Sequence, residues 1–352
     1  MSSVVTFKCP SCGAYLEFEP GTQQFSCPYC LQSFTEQELH KLLKERGASS
    51  EPEAAQPQVE AGSHLRSYHC QTCGAEIVTS DTTAASRCYY CHSPVVLSDR
   101  LTGEFSPDGV LPFKISREEA LKRFESFLGK KKFVDRRFFS RDQIEDFSGV
   151  YYPFWLGDVT AQANFDGEGT RVSVLSGPRE VVTTTRYFRV QRSGQVQFRD
   201  MVRKALTSCD RQLSDGIHPY NTEEIKPFDM SYLSGFLAEK RDIAQEGVEK
   251  ELTEEAKGYI PEMMKEGGKF DTLSGRTDIT DMKTKMRYVL LPAWVLTYRS
   301  EKPGKVYYYL MNGQTGAVCG KLPIDWKKLG LTAGLIGAAI AGVLCAGGAM
   351  LW

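Results

Sequence analysis

The amino-acid sequence predicts an α+β protein, and three observations lead to this class. One cysteine pattern occurs twice within the first 91 residues, β-type alternation and helical periodicity share the middle of the chain, and the last 24 residues carry no charge. We therefore expect two small N-terminal zinc ribbons, a mixed body with duplicated β-units, and one C-terminal transmembrane helix.

The cysteine pattern has the spacing of a tetrathiolate zinc site, C-x2-C-x14-C-x2-C. It is formed first by Cys9, Cys12, Cys27 and Cys30 and again, 61 residues later, by Cys70, Cys73, Cys88 and Cys91. Each C-x-x-C turn directs two thiolates at one ion, so four thiolates fill a tetrahedral shell and leave no position for water. The pattern predicts two structural Zn²⁺ ions rather than a hydrolytic centre.

Two alternatives concern the same segment. The cysteines could instead form disulfides, but that requires an oxidising compartment, and because we see no signal sequence among the first residues we expect a reducing one. His69 and His92 adjoin ligands, but each site already has four thiolates, which favours surface positions for both. The formal net charge of −1 and the neutral ribbon segments give no general attraction to nucleic acid.

Composition and periodicity divide the chain into five segments. These are ribbon 1 (1–34), a short helix with a flexible linker (35–65), ribbon 2 (66–100), the α+β body (101–326) and the tail (329–352). Thr35 and Glu38 form a capping box, and residues 48–64 contain almost no large side chain. We therefore expect the two ribbons to move independently of each other, with docking of the second ribbon on the segment that follows as the alternative.

Helix and strand signals alternate in the body. Ser116 and Glu119 form a second capping box, which begins a helix that ends at Gly129. Residues 150–206 alternate as β-structure, with a turn at Ser193–Gly194. The hairpin segment 186–204 is basic, so it is either a binding face or the solvated side of a strand pair.

A second repeat is centred on two Pro-x-Trp elements. The segment from Val150 to Leu156 resembles the segment from Val289 to Val295, with Pro and Trp in register. We interpret the pair as duplicated β-units with Trp155 and Trp294 as core residues, each proline lying at a strand start or edge.

Residues 329–352 are long enough to span the roughly 30 Å hydrocarbon core of a bilayer as a helix. Lys327 and Lys328 precede them, which predicts a single-pass membrane protein with most of the chain cytoplasmic. The small residues Gly330, Gly334, Ala338 and Gly342 recur at every fourth position and favour helix–helix association.

The paired knuckles, the segments Gly149–Trp155 and Tyr232–Glu239, and the motif Asn312-Gly-Gln-Thr-Gly316 together resemble bacterial TFIIB-type zinc-ribbon-containing membrane proteins. Some of these are labelled replication restart helicase-like. The resemblance covers most of residues 66–326 and implies a scaffold of the phage-shock-associated type, without catalytic residues.

No phosphate-binding G-x-x-x-x-G-K-[ST] loop and no hydrolase motif occurs, so we expect no enzymatic activity. The favoured function is a membrane-anchored adaptor that presents its ribbons to cytoplasmic protein partners. The alternative is a membrane-tethered nucleic-acid-binding protein.

Overall fold

The structure is a computed structural model of the whole chain. It describes residues 4–5, 7–45, 65–70, 72–73, 76–88, 93–131, 133–134, 146–178, 180–209, 211–299, 306–320 and 324–350. The α+β class is confirmed.

The described residues form sixteen strands. They are β1 Val4–Val5, β2 Glu17–Glu19, β3 Gln24–Ser26, β4 Ser33–Phe34, β5 Leu65–His69, β6 Glu76–Ser80, β7 Thr83–Arg87, β8 Pro94–Leu97, β9 Gly109–Val110, β10 Asp146–Ser176, β11 Val181–Lys204, β12 Lys226–Pro227, β13 Leu237–Glu239, β14 Thr272–Arg299, β15 Val306–Asn312 and β16 Val318–Gly320. The α-helices are α1 Glu36–Glu45, α2 Arg117–Gly129, α3 Arg211–Asp215, α4 Gln245–Lys265 and α5 Trp326–Met350.

One large sheet organises the body. Its strand order is β1-β8-β7-β13-β10-β14-β15-β16, with β11 paired to β10 and β9 paired to β14. The parallel pairs are β10 with β13 and β14 with β9, and the other pairs are antiparallel. Ribbon 1 contributes a separate sheet, β2-β3-β4, and ribbon 2 contributes the pair β5-β6.

The two Pro-x-Trp elements lie in neighbouring antiparallel strands, where Pro153 is opposite Leu290 and Pro292 is opposite Tyr151. Neither proline is at a strand start, because both lie inside the long strands β10 and β14. Pro153 falls between the positions that pair with β13 and those that pair with β11, and Pro292 falls between the positions that pair with β9 and with β15. Each proline, which has no backbone N–H to donate, therefore lies at the position where the neighbouring strand on one side of β10 or β14 changes.

Both tryptophans are core residues, as predicted. Trp155 is 4% exposed and Trp294 is 3% exposed. The indole N–H of Trp155 donates to the carbonyl oxygen of Ile243 at 3.1 Å, and that of Trp294 donates to Ile115 at 3.0 Å. Each ring thus buries a large apolar surface while its polar atom has a partner.

Strands β10, β11 and β14 continue beyond the body as an arm, which we define as residues 157–201 and 272–286. β10 contains 31 residues, which at about 3.3 Å per residue corresponds to about 100 Å. Helix α4 covers one face of the arm. Its buried residues occur at every fourth position and form a stripe along the helix: Val248, Leu252, Ala256, Ile260 and Met264. The arm also exposes large apolar side chains, among them Val172, Val174 and Tyr187.

The turn of the β10–β11 hairpin differs from the prediction. Ser193 and Gly194 lie inside β11, paired with Asn164 and Ala163. The chain reverses after Ser176 instead, where the N–H of Gly177 donates to the oxygen of Glu180 at 2.8 Å. The Ser-Gly dipeptide is accommodated inside the strand because the ladder to β10 continues on both sides of it.

The predicted helix starts are confirmed. The side chain of Ser116 accepts a hydrogen bond from the N–H of Glu119 at the start of α2, which ends at Gly129. The N–H of Glu38 donates to the Thr35 hydroxyl, and the backbone and hydroxyl of Thr35 donate in turn to the Glu38 carboxylate. These hydrogen bonds lower the pKa of Glu38.

The transmembrane helix predicted for residues 329–352 is contradicted. Within the described ranges, no helix combines the length and the apolarity needed to cross a membrane. Helix α5 contains six Gly and six Ala among its 25 residues, and such side chains contribute little apolar surface. The predicted single-pass membrane localisation is contradicted by the same finding.

Candidate metal centres

The four cysteines of ribbon 1 form one compact cluster. The Sγ atoms of Cys9 and Cys30 are 3.6 Å apart and those of Cys12 and Cys27 are 3.5 Å apart. All four sulfurs lie within 4.8 Å of one another. A tetrahedral zinc site with Zn–S bonds of about 2.3 Å has sulfur–sulfur edges of about 3.8 Å, so this donor set fits one metal ion.

Two matching turns position these sulfurs. In the first, the N–H of Gly13 donates to the oxygen of Cys9 at 3.0 Å; in the second, the N–H of Leu31 donates to Cys27 at 2.9 Å. The residue after each second cysteine has a positive φ, +76° at Gly13 and +61° at Leu31. Glycine adopts this conformation readily, whereas a leucine with positive φ is unusual.

The thiols are not bonded to one another, and their environments differ: the pKa of Cys27 is lowered, whereas desolvation and hydrogen bonds to neighbouring cysteines raise the pKa values of Cys12 and Cys30. The described cysteines form no disulfides. Burial disfavours the thiolate of Cys27, but backbone hydrogen bonds from Cys30 and Tyr29 outweigh it and lower the pKa of Cys27 to about 7. The N–H of Ser11 also donates to the sulfur of Cys9 at 3.4 Å.

The second cluster contains Cys70, Cys73 and Cys88, with 3.7 Å between the sulfurs of Cys73 and Cys88. Cys91, predicted as the fourth ligand, and His92 lie outside the described residues. The N–H of Cys88 donates to the oxygen of Ser93 just as the N–H of Cys27 donates to Gln32, five residues on in both cases. This shared turn supports the internal repeat, and both clusters could hold a metal ion.

Ribbon 1 is docked on the body, in contrast to the expected independent motion. The N–H of Phe18 donates to the oxygen of Ser234 at 3.1 Å, and the Ser234 hydroxyl donates back to Leu16. The side-chain amide of Gln23 donates to the oxygen of Phe113 at 2.6 Å. These contacts join the edge of ribbon 1 to two separate segments of the body.

Aromatic packing completes this interface. The rings of Phe18 and Phe25 lie 5.1 and 5.9 Å from the ring of Tyr232, and both phenylalanines are at most 3% exposed. A 34-residue ribbon has too little interior to bury two such rings, so they join the core of the body instead. The composition of residues 48–64, from which we expected independent ribbons, does not reveal this contact because the contact is made by residues outside that segment.

Ribbon 2 is continuous with the body through its second half. Strand β7 pairs with β8 on one side and with β13 on the other. Arg100 is 4% exposed, donates to Tyr68 Oη at 2.8 Å and to the oxygen of Thr83 at 3.0 Å, and lies 5.2 Å from the Tyr68 ring centre. No local sequence signal distinguishes this buried arginine from an exposed one.

Most basic side chains of the 186–204 segment have internal partners. Arg189 pairs with Asp166, Arg192 donates to the backbone oxygens of Met264 and Glu266, Arg203 pairs with Glu251 and Glu255, and Lys204 donates to the oxygen of Cys209. A phosphate-binding face requires cations that are free to contact phosphate. The arrangement favours a structural use of these cations.

Comparison with known proteins identifies a relative along nearly the whole chain. The chain is 30% identical over 335 residues to the Bacillus subtilis (strain 168) protein YdjG, described as uncharacterized, and the match covers 93% of this chain and 92% of YdjG. No protein-family model matches the chain. No solved structure matches it either. The extent and identity of the match place the chain in one family with Bacillus subtilis YdjG.

Proposed function

We propose that the chain is an adaptor that binds protein partners through its ribbons, with one structural Zn²⁺ in each cysteine cluster and no catalytic activity. The observation that carries the proposal is the sulfur-only cluster of ribbon 1, combined with the docking of that ribbon on the body. The resemblance of the chain to TFIIB-type zinc-ribbon proteins agrees with this role.

Zinc is the metal that the donor set favours. Thiolates are soft ligands, and four of them in a tetrahedral arrangement suit Zn²⁺, which has no geometric preference of its own. A fully coordinated ion cannot activate water, so its contribution is to fold the knuckles. The same chemistry is proposed for ribbon 2, with Cys91 as the fourth ligand.

The surface that we propose for partner binding is the second C-x-x-C turn of ribbon 1, residues 27–31, which we call the knuckle. Tyr29 is 69% exposed and Leu31 is 83% exposed, although both are large apolar residues. Leu31 adopts its positive φ directly after Cys30, so the cysteine cluster positions this exposed side chain. Since the opposite side of the ribbon is held by the body, the knuckle is presented in one orientation.

The adaptor role is tested by crosslinked capture of partners from cells that express the full chain. Tyr29→Ser combined with Leu31→Ser should lose specific partners, whereas Tyr259→Ser, which removes a tyrosine 53% exposed on α4, should retain them. Recovery of the same proteins with the wild-type chain and the double variant, at equal zinc content, would refute the knuckle as the docking surface.

Nucleic-acid binding remains the weaker candidate, because the cations that suggested it are mostly engaged internally. Salt-dependent binding of single-stranded or duplex DNA by the full chain would favour it over the adaptor role.

Helix association through Gly330, Gly334, Ala338 and Gly342 stays a prediction. A Cβ atom added at Gly330, Gly334 or Gly342 would meet nothing within 4 Å, which leaves that face open.

A further inference from the structure

A cavity of about 620 Å³ lies where ribbon 2 meets the body. The end of β6 and the β6–β7 turn line one part of it, the sheet strands β10, β13, β14 and β15 form the floor, and the segment from β11 into α3 lines another part. Its apolar lining residues are Val150, Leu206, Leu213, Leu237, Val295 and Leu310. This volume lies within the range of small-molecule sites.

The ionisable side chains that line the cavity are all acids. They are Glu239, Cys209, Tyr152 and Tyr308, and the described lining includes no lysine, arginine or histidine. Burial raises the pKa of Tyr152, and the proximity of Cys209, Glu239 and Tyr308 raises it further. The four groups therefore converge on one region, which carries either no charge or negative charge.

Glu239 is the strongest of these acids. Its carboxylate accepts hydrogen bonds from Thr82 and Thr83, and burial raises its pKa. Its Oε2 atom is buried and has no hydrogen-bond partner within the part of the chain that the structure describes. A partly buried carboxylate with unused hydrogen-bonding capacity is destabilised unless a cation approaches it.

Arg100 is a cation that affects Glu239, and most of its guanidinium is engaged elsewhere. Its Nε and Nη1 atoms donate to the Tyr68 hydroxyl and to the oxygens of Ser80 and Thr83, whereas its Nη2 atom is buried and has no hydrogen-bond partner among the described residues. It lowers the pKa of Glu239, and Asp81 acts in the opposite direction. After both effects the pKa of Glu239 still lies above its ordinary value, so the carboxylate is incompletely compensated.

We propose that this cavity binds an organic ammonium ion that carries an apolar chain. The ammonium group pairs with Glu239 and lies beside the tyrosines Tyr152 and Tyr308, side chains that attract cations through both hydroxyl and ring. The apolar chain packs on residues of the sheet floor such as Val150 and Val295. Since no cationic side chain lines the described cavity, a carboxylate or phosphate of the same size is disfavoured.

The site goes beyond the adaptor role and does not depend on it. Its walls come from ribbon 2 on one side and from the body on the other, so an occupant contacts both. Ser80 ends β6 and Thr82 lies in the β6–β7 turn, so both belong to the ribbon 2 segment between Cys73 and Cys88. Occupancy is therefore expected to stabilise the attachment of ribbon 2.

The test compares three probes of equal chain length, n-octylammonium, n-octanol and octanoate, by calorimetric titration of the full zinc-loaded chain at neutral pH. One ion pair in a partly buried site should favour the ammonium over the alcohol by about tenfold in affinity. Octanoate should bind more weakly than both. Equal binding of octanoate and octylammonium, or no binding of octylammonium, would overturn the proposal.

Two variants locate the binding. Glu239→Gln should reduce the preference for octylammonium over octanol to about twofold or less, whereas Glu246→Gln, on the exposed first turn of α4, should leave it unchanged. Ser208→Trp places a large ring at the exposed rim of the cavity and should weaken all three probes. Retention of the full preference in folded Glu239→Gln protein would place the ammonium elsewhere and refute the assignment.

Discussion

The hydroxyl group of Tyr232 lies 2.7 Å from Oε2 of Glu36, a contact between residues 196 positions apart in the chain. Lys226 Nζ lies 2.8 Å from the same hydroxyl and 3.4 Å from the same carboxylate oxygen. Glu36 begins the helix that follows ribbon 1, and Tyr232 belongs to the body. The triad therefore fixes the helix and the ribbon on the body in one orientation.

Removal of the Tyr232 hydroxyl should weaken this docking without creating a cavity. Tyr232→Phe is expected to lower the free energy of unfolding by about 1–2 kcal/mol, because a hydrogen bond to a charged group is lost. Denaturant unfolding of the full chain measures the difference. Tyr259→Phe, an exposed tyrosine on α4, is the matched control and should change the stability by less than about 0.5 kcal/mol.

A double-mutant cycle with Glu36→Gln separates the contact from general effects of each substitution. The two changes should be less than additive if Tyr232 and Glu36 act on each other. Strict additivity would show that the hydroxyl contributes through Lys226 alone or not at all.

The two cysteine clusters predict a zinc content close to two ions per chain. Cys12→Ser, which alters one exposed ligand, should lower the content to one and leave ribbon 2 loaded. Chelation should cause loss of ribbon structure, because the metal contributes directly to folding of such small units. Elemental analysis of purified protein measures the first effect and circular dichroism the second. A content near zero in protein purified without chelator would contradict the metal assignment.

The local features of the chain were largely predictable from sequence. Capping boxes at Thr35 and Ser116 depend on residues three positions apart, and the knuckle turns depend on residues within five positions of a cysteine, so their signals are complete in a short window. The sequence similarity of the two Pro-x-Trp elements predicted related β-units with Trp155 and Trp294 in the core, and both tryptophans are buried. That the two elements pair with each other in antiparallel strands is a finding of the structure.

The relations between distant segments were not predictable. No sequence signal near Phe18 indicates that it packs against Tyr232, and none near Arg100 indicates that this arginine is buried. The Ser193–Gly194 dipeptide has turn chemistry, but strand pairing over the whole length of β11 overrides this local preference. The cavity residues come from six separate segments, so no sequence window contains the site.

Gly149 is required by close packing against the body core. A Cβ atom at this position would lie 2.5 Å from Cδ1 of Phe236 and 3.1 Å from Cζ of Phe113, rings that are themselves stacked at 4.3 Å. Gly149→Ala should therefore destabilise the protein by about 1–3 kcal/mol through overpacking. Thermal unfolding measures the loss.

Gly258 supplies the contrasting control for this prediction. It lies in the interior of α4, and a Cβ there would meet nothing within 4 Å. Gly258→Ala should stabilise the protein by about 0.5–1 kcal/mol, because alanine has the higher helix propensity. Equal effects of the two substitutions would contradict the packing of Phe236 over Gly149.

Trp294 supports the centre of the second β-unit. Its ring is stacked on Phe147 with 5.1 Å between centroids, and its N–H is bonded to Ile115. Trp294→Ala should cost about 3–5 kcal/mol of stability, whereas Trp326→Ala, at a position 72% exposed, should cost little. Tryptophan fluorescence during denaturant unfolding follows both variants.

The stability of the protein should depend on pH through Glu239. Burial raises the pKa of this carboxyl in the folded state, so the folded protein holds the proton more tightly than the unfolded chain does. The stability contributed by the protonated group is complete below the ordinary pKa of about 4.5 and is lost as pH rises through the folded-state pKa. The slope cannot exceed about 1.4 kcal/mol per pH unit for one proton.

Glu239→Gln should therefore gain stability relative to the wild type as pH rises from about 4.5, and the difference should level off once the folded-state carboxyl has ionised. Glu246→Gln, on the exposed first turn of α4, should show no such pH-dependent gain. The measurement is the free energy of unfolding of the three proteins at several pH values between about 4.5 and 8. A difference between Glu239→Gln and wild type that shrinks with rising pH would show that the folded state stabilises the carboxylate, because a lowered pKa reverses the sign of the linkage.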